Sequence, residues 1–220
     1  MSEIYYQDDL VTLYLGDCLE VPEWLQADVL VTDPPYGMAY VSNASKYAGP
    51  SRKIAGDGTA EIRDRSLALW GADRPAIVFG TWRVPRPEAV RQLVIWDKGD
   101  SPGMGDLALP WGPSHEDIYV MGSGKFAGKR SGSVIRAQGY SAGSHQRPNH
   151  PTPKPVALME ALIEKMPSGT IADPFAGSGA TLVAARNLGR KVIGVELDEK
   201  YCEDIAKRLG QGAFDFSALV

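Results

Sequence analysis

Cysteine is scarce in this chain of 220 residues: Cys18 and Cys202 lie far apart, and neither belongs to a C-x-x-C pair. No zinc ligand set and no disulfide framework follow from such usage, and a reduced, cytoplasmic setting is expected. Long apolar runs are missing too. The stretches at 29–31 and 192–195 are strand-sized, against the roughly 20 residues that a membrane span needs, so no membrane partner is expected. The opening MSEIYYQDD carries an acid and no basic-then-apolar pattern, which predicts no signal peptide. Low-complexity tracts and internal repeats are also absent. What remains reads as one ordinary globular domain over 1–220, with 44% hydrophobic residues available for a core.

One local absence stands out. A net charge of −4, spread evenly, would disfavour a polyanionic partner. From Gly122 to His150, however, there is no Asp or Glu, while Lys125, Lys129, Arg130, Arg136 and Arg147 all fall there. Composition alone makes such a stretch a solvated loop. Its flanks suggest more.

Strand-like and helix-like patterns alternate along the chain. Ile4 to Leu15 reads as a hairpin around Gln7-Asp8-Asp9, and Ala27 to Thr32 as a strand buried on both faces. Residues 38–58 are polar and Gly/Ser-rich, as in a mobile loop. A helix over 59–70, a strand over 75–80, a short helix over 85–92 and a strand over 93–97 follow. Residues 99–113 are dense in glycine and proline and read as loop. Strands at 117–121 and 133–135 bracket the basic stretch. A helix over 155–166, a strand over 170–173, a helix over 179–188, a strand over 191–196 and a helix over 199–209 complete the series. This order predicts a doubly wound α/β domain with a mostly parallel sheet.

Thr170 to Thr181 (TIADPFAGSGAT) has the form of a strand, a tight turn and a helix start. Gly177 and Gly179 would let the backbone approach a ligand at the helix N-terminus. Seventeen residues beyond Gly179, Glu196 ends a second strand, where an acid can accept both ribose hydroxyls of a nucleoside. No lysine follows the second glycine, so a P-loop fits poorly, and Leu182 stands where a dinucleotide fingerprint has its third glycine. A turn that serves packing alone stays open. Asp173 favours a mononucleoside ligand, because its carboxylate would repel phosphates and attract a cation.

Directly after the 27–32 strand comes Thr-Asp-Pro-Pro-Tyr-Gly (32–37). Two successive prolines fix φ and keep each preceding residue out of the helical region. The chain from Asp33 to Pro35 must leave the strand extended and stiff, able to aim the Asp33 carboxylate and the Pro34 carbonyl into one cavity beside the Tyr36 ring. An exocyclic base amine needs that arrangement. Its lone pair is delocalised into the ring, and two acceptors gripping both N–H bonds localise it for attack on a methylsulfonium, a gain from positioning and preorganisation. Tyr36 adds a stacking face for a base swung out of a duplex. The alternative is a Pro-Pro turn capping a strand beside an incidental acid.

These motifs, in this order, resemble the amino DNA methyltransferases of the permuted β class, in which the catalytic motif precedes the cofactor glycines. Leu-Gly-Asp-Cys-Leu (15–19) resembles that family's N-terminal segment, Asp-Pro-Pro-Tyr (33–36) its catalytic motif, His-Pro-Thr-Pro-Lys-Pro (150–155) the motif before the helix lining the methionine pocket, and Asp-Pro-Phe-Ala-Gly-Ser-Gly (173–179) its cofactor turn. Trp-Asp-Lys-Gly (96–99) and Ser-His-Glu-Asp-Ile-Tyr-Val-Met (114–121) resemble its connecting motifs in the target-base half. Pro153 departs from the glutamine that many relatives carry.

The resemblance implies a Rossmann-like methyltransferase fold with a mostly parallel seven-stranded sheet and an antiparallel edge hairpin. It implies S-adenosylmethionine as cofactor and methylation of an exocyclic amine in double-stranded DNA, adenine N6 before cytosine N4. Catalysis falls to Asp33, Pro34, Pro35 and Tyr36. Cofactor binding falls to Asp17, Cys18, Thr152, Lys154, Asp173, Phe175, Ala176, Gly177, Ser178, Gly179, Glu196 and Leu197. The basic stretch at about 122–150 becomes a short target-recognition insert, with Lys125, Lys129, Arg130, Arg136 and Arg147 on DNA. His115, beside Glu116, is given a structural hydrogen-bonding role. No metal is expected, and a homodimer and a cognate restriction enzyme are left open. Against these stand an RNA methyltransferase, a dinucleotide-dependent oxidoreductase and a silent DNA-binding module of phage or defence origin.

Overall fold

The computed structural model describes residues 2–38, 58–99, 105–140, 147–148 and 150–212. Nearly all of the segment expected to be a loop at 38–58, and part of that at 99–113, lie outside the described residues. The described strands are β1 (Glu3–Gln7), β2 (Val11–Leu15), β3 (Val29–Thr32), β4 (Ala76–Gly80), β5 (Val90–Asp97), β6 (His115–Met121), β7 (Val134–Arg136), β8 (Ile171–Asp173) and β9 (Val192–Glu196). The helices are α1 (Glu61–Trp70), α2 (Val156–Ile163), α3 (Ala180–Asn187) and α4 (Glu199–Gly212), with a 3-10 turn at Pro22–Gln26.

All nine strands form one sheet, ordered β1-β2-β9-β8-β3-β4-β6-β5-β7. β1 pairs antiparallel with β2 at one edge, and β6 runs antiparallel between β4 and β5. The remaining pairings, β2 with β9, β9 with β8, β8 with β3, β3 with β4 and β5 with β7, are parallel. The doubly wound α/β expectation is met, but the sheet has nine described strands where seven were expected. The hairpin strand β1 and the three-residue β7 extend its two edges.

Alternation along the central strands sorts the core into two layers. Val29 and Val31 of β3, Ile77 and Phe79 of β4 and Ile118 of β6 join the helices α2, α3 and α4. Leu30, Ala76, Val78 and Tyr119 point the other way, toward Trp24 and Trp70. Those two indoles stack at 5.9 Å between centroids, and the Arg74 guanidinium lies 3.4 Å over the Trp70 ring. In α4 the buried Cys202, Ile205 and Leu209 recur at the helical spacing that faces one layer. Close approach of α3 to the sheet depends on Gly194: a Cβ there would fall 2.9 Å from the Leu182 methyls.

The helix expected over 85–92 is absent; β5 starts at Val90 instead. Pro85 and Pro87 keep their preceding residues out of the helical region, and Ala89 takes a positive φ of 58°. Pairing of Val90 with Met121 and of Gln92 with Val120 then draws the chain into the sheet. Tertiary pairing outweighs local pattern here. Among the described residues no helix is long and apolar enough to cross a membrane.

Leu182 is fully buried between α3 and the sheet. Leu182→Ala should lower unfolding free energy by about 2–5 kcal/mol, read from urea denaturation with an unchanged slope.

Candidate active site

β3 and β8 are parallel neighbours whose onward connections run to opposite sides of the sheet, β3 through α1 to β4 and β8 through α3 to β9. A crevice opens at the carboxyl ends of strands that part in this way. Asp173 ends β8 and Asp33 follows β3, and the Thr32 hydroxyl donates to Asp173 Oδ1 at 2.7 Å, tying the two strand ends together. Around them lies a cavity of about 780 Å³, large enough for a nucleoside-sized ligand and a base together. Its lining includes every residue of both sequence motifs, Asp33 to Tyr36 and Asp173 to Ser178, except for Gly179, the α3 N-cap.

On the β3 side the walls meet in a compact charge network. Lys154 Nζ lies 2.6 Å from Asp33 Oδ2 and 3.1 Å from Glu116 Oε2, while Lys98 Nζ lies 2.7 Å from Glu116 Oε1. The Tyr36 hydroxyl reaches Asp33 Oδ1 at 2.7 Å and Glu116 Oε2 at 3.0 Å. It has one proton and two acceptors. The Lys154 ammonium also sits over three rings, 5.0 Å from the Phe79 centroid, 5.6 Å from Tyr36 and 6.0 Å from Trp96, so burial of this cation is offset by carboxylates and π faces together.

Burial, then the Glu116 charge, raises the Asp33 carboxyl against the lowering effect of Lys154. For Glu116 burial is outweighed by Lys154 and Lys98, which hold it down at about 2. Burial opposes the charged form of Lys154, but Asp33 and Glu116 keep its ammonium above the ordinary value. The Tyr36 phenol is pushed well up by burial and by both carboxylates, so it stays protonated.

On the β8–β9 side the glycine turn has the expected shape. Gly177 and Gly179 take φ of 52° and 74°, and a Cβ on Gly179 would fall 2.9 Å from Ile205. Ala176 N–H bonds back to Val195 O, and the Gly177 N–H donates to Glu196 Oε2 at 2.7 Å. Glu196 Oε1 accepts the Asp198 N–H at 2.9 Å, so its carboxylate is fixed with lone pairs to spare. Burial pushes Glu196 up to about 7 and Asp173 up to about 6. Asp17 is held in its own turn by the Leu19 N–H. A cavity wall carrying Asp17, Asp173 and Glu196 fits a cationic nucleoside and not a pyrophosphate.

Other cofactor candidates divide. Thr152, Phe175, Ala176, Ser178 and Leu197 line the cavity. The Cys18 thiol also borders it but lies 3.6 Å from Ser66 Oγ, and burial pushes it up to about 11. Lys154, expected beside the cofactor, is committed to the carboxylates of the other half. Glu116 and Lys98 were given no role from the sequence, although both sit in quoted motifs. Pairing of Trp96 with Glu116 and of Asp97 with His115 puts those motifs side by side. His115 is exposed at the cavity mouth.

The five cations of 122–150 do not form one patch. β6 carries the chain away from the cavity, and Gly122 onward begins at the opposite end of the sheet, on the order of 20 Å off at the usual strand rise. Lys125, Lys129 and Arg130 follow there; Ala127 N–H bonds to Lys165 O, and Lys165 Nζ to Lys129 O. β7 returns toward the cavity end, placing Arg136 opposite Asp97. Arg147 bonds to Pro151 O at 2.6 Å, next to the cavity-lining His150 and Thr152. The rim also carries exposed apolar side chains that sequence reasoning passed over, Trp82 at 71% exposure and Leu107 at 79%, with the Arg83 guanidinium 5.5 Å over the Trp82 ring. Among the described residues no group of three His, Cys, Asp or Glu is placed to hold a metal.

Comparison with known proteins bears on the whole arrangement. Residues 80–208 match the N6_N4_Mtase family model, described as DNA methylase. The putative methylase YubD of Escherichia coli (strain K12) is 31% identical over 205 residues, 84% of each chain. The DNA adenine methyltransferase YhdJ of the same organism is 43% identical over 63 residues, 28% of this chain and 21% of that one. Among solved structures, the M1.HpyAVI–SAM complex gives a TM-score of 0.62 at 22% identity, over 90% of this chain and 100% of that one. The PvuII DNA methyltransferase (cytosine-N4-specific) gives 0.66 at 15% identity, over 94% and 88%. Those two are likenesses of fold. With a family model matching more than half of its length and a relative at 31% identity along most of it, this chain belongs to the N6/N4 DNA methylase family.

Proposed function

We propose that this chain transfers a methyl group from S-adenosylmethionine to the N6 amine of adenine in double-stranded DNA. One observation carries the reading: the carboxylate that can grip an exocyclic amine and the glycine turn that can hold a nucleoside open into one cavity, joined by the Thr32–Asp173 hydrogen bond. When bound, S-adenosylmethionine supplies an electrophilic methyl on a cationic sulfur. Glu196 would accept the ribose hydroxyls, Asp17 the adenine amine, and Phe175 and Leu197 would give apolar contact. Asp173 adds negative charge on the side where the cation is bound.

The target base enters against Asp33, Pro34, Pro35 and Tyr36. Asp33 accepts from the amine, and Tyr36 holds Asp33 as well as offering its ring. The hydroxyl, for which residue pattern alone offers no role, is thus part of the site. Extruding the base leaves a gap in the duplex at the cavity mouth, where Trp82 and its Arg83 partner can contact the stack and the backbone. Phosphate contacts are proposed for Arg136 and Arg147 at the cavity end. Lys125, Lys129 and Arg130 could reach DNA only by a longer path. Asp ahead of the two prolines supports adenine, as does the likeness to the DNA adenine methyltransferase YhdJ. Cytosine N4 is the second reading, supported by the likeness to the PvuII enzyme. The cytoplasm is the proposed site of action.

Asp33→Ala should lose about 10²–10³-fold or more in methyl transfer to DNA, on the scale of losing one preorganised polar partner, with S-adenosylmethionine affinity unchanged by calorimetry. Near-normal transfer by the variant, or label passing to RNA or protein in preference to DNA, would remove the assignment. The cofactor half is tested separately. Glu196→Ala should weaken S-adenosylmethionine binding about ten-fold or more, the scale of one charge-assisted hydrogen bond, and NAD should not bind tightly. A cation arriving beside Glu196 and Asp173, at about 7 and about 6 in the free protein, lowers both values. Binding at pH 6–7 should therefore release protons, seen as a buffer-dependent calorimetric enthalpy. Proton uptake would contradict the placement.

A further inference from the structure

We propose that Glu116 is a positioning residue for methyl transfer: pinned by Lys98, and sharing Lys154 and the Tyr36 hydroxyl with Asp33, it makes Asp33 Oδ1 the acceptor of the proton shed by the base amine. This rests on the methyl-transfer reading above. In that reaction the amine nitrogen bonds to the methyl carbon, and the carbon–sulfur bond breaks with its electron pair left on sulfur. The nitrogen is then cationic and must lose one proton. Asp33 takes it, becomes neutral, and returns it to water after the product base leaves.

The geometry separates the roles of the two carboxylates. Glu116 has a lysine on each oxygen, Lys98 at 2.7 Å on Oε1 and Lys154 at 3.1 Å on Oε2. Among the described residues Asp33 has a cation on Oδ2 only, Lys154, and Oδ1 receives the Tyr36 hydroxyl. When Oδ1 takes a proton, the Tyr36 hydroxyl has a second acceptor ready, Glu116 Oε2 at 3.0 Å. No buried donor is left without an acceptor by the transfer, which would otherwise oppose it. Among the described residues, two carboxylates and two ammonium groups balance each other in this network before the reaction, so it can absorb one added charge in a buried place.

Electrostatics acts in the same direction. Burial and the Glu116 charge raise Asp33, whereas Lys154 and Lys98 outweigh burial at Glu116 and hold it at about 2. Paired titratable groups pushed apart in this way divide into a proton acceptor and a fixed charge. Among the described residues, the charged and titratable groups that act on Asp33 are Lys154 ahead of α2, Glu116 on β6 and Tyr36 on its own segment, with Asp173 at the end of β8 and, through Glu116, Lys98 beyond β5. Of these, Glu116 and Lys98 can be altered without touching the amine's own contacts.

The two substitutions have opposite signs. Glu116→Gln removes a negative charge facing Asp33 and leaves Lys154 to Asp33 alone. Asp33 falls, and the acid limb of the single-turnover rate moves to lower pH by roughly 1–3 units, the usual effect of one near charge. The plateau drops with it, because a weaker base takes the proton. Lys98→Met removes a positive charge, so Asp33 and Glu116 both rise and the limb moves to higher pH. Glu116→Asp should return the limb toward its original position. A role confined to holding the fold would lower rates without moving the limb in opposite directions.

The experiment is the pH profile of single-turnover methyl transfer to DNA at saturating S-adenosylmethionine, for the intact chain and these variants. It is paired with ¹³C-carboxyl NMR titration of aspartate-labelled protein without cofactor or DNA, where Asp33→Asn identifies the resonance. Opposite shifts of the limb and of the Asp33 midpoint support the proposal. An unmoved limb, or shifts of one sign, in a wild type that methylates DNA overturns it and leaves the methyl-transfer reading standing. A wild type that methylates no DNA overturns both.

Discussion

The parallel pairing of β3 with β8, closed at its end by the hydrogen bond from Thr32 to Asp173, joins residues 141 positions apart and decides where everything else in the site can lie. The connections from these strands run to opposite sides of the sheet, which opens a crevice at their carboxyl ends. One side is furnished by the turn into α3 and by Glu196 at the end of β9. The other is furnished by the Asp-Pro-Pro-Tyr segment and the ends of β4, β5 and β6. Donor and acceptor halves are therefore products of one topological feature. The order of motifs along the chain, catalytic before cofactor, does not affect it.

Electrostatics sharpens that division. The proposed cofactor half has fixed carboxylates, Glu196 and Asp173, raised by burial and, among the described residues, without a basic partner in hydrogen-bond contact. Such groups are costly to ionise in isolation and favour an arriving cation. The target half has its charges already matched, Lys98 and Lys154 against Glu116 and Asp33. That half suits a neutral base amine that gains charge only during reaction. A site with both halves acidic would bind the cation in the wrong place; one with both halves neutralised would not bind it well.

Much of this was legible in the sequence wherever the governing physics is local. Two prolines stiffen the exit from β3, glycines permit the turn before α3, and alternation or continuous apolar runs mark the strands. What was missed depends on contacts between distant residues. Nothing near Pro85 and Pro87 announces that Val90 will pair with Met121, and the short helix expected there gives way to β5. Lys98 and Glu116 look like separate surface charges until the β5–β6 ladder sets Trp96 against Glu116. The run of cations after Gly122 looked like one patch because the antiparallel course of β6, which carries it to the far end of the sheet, cannot be read from composition. The Tyr36 hydroxyl likewise acquired a role only when two carboxylates were found within its reach.

The proposed reaction changes one atom of one base, so the most direct measurement is the identity of the methylated base. Plasmid DNA incubated with purified protein and S-adenosylmethionine, then digested to nucleosides and analysed by mass spectrometry, should contain N6-methyladenine, and single-molecule modification sequencing should place it at a fixed sequence. The same digest from Asp33→Ala, taken at an early time on the wild-type progress curve, should contain about a hundredth as much or less. N4-methylcytosine in its place would keep the mechanism and change the target. Unmodified DNA from the wild type, under conditions where S-adenosylmethionine binds, would contradict the account.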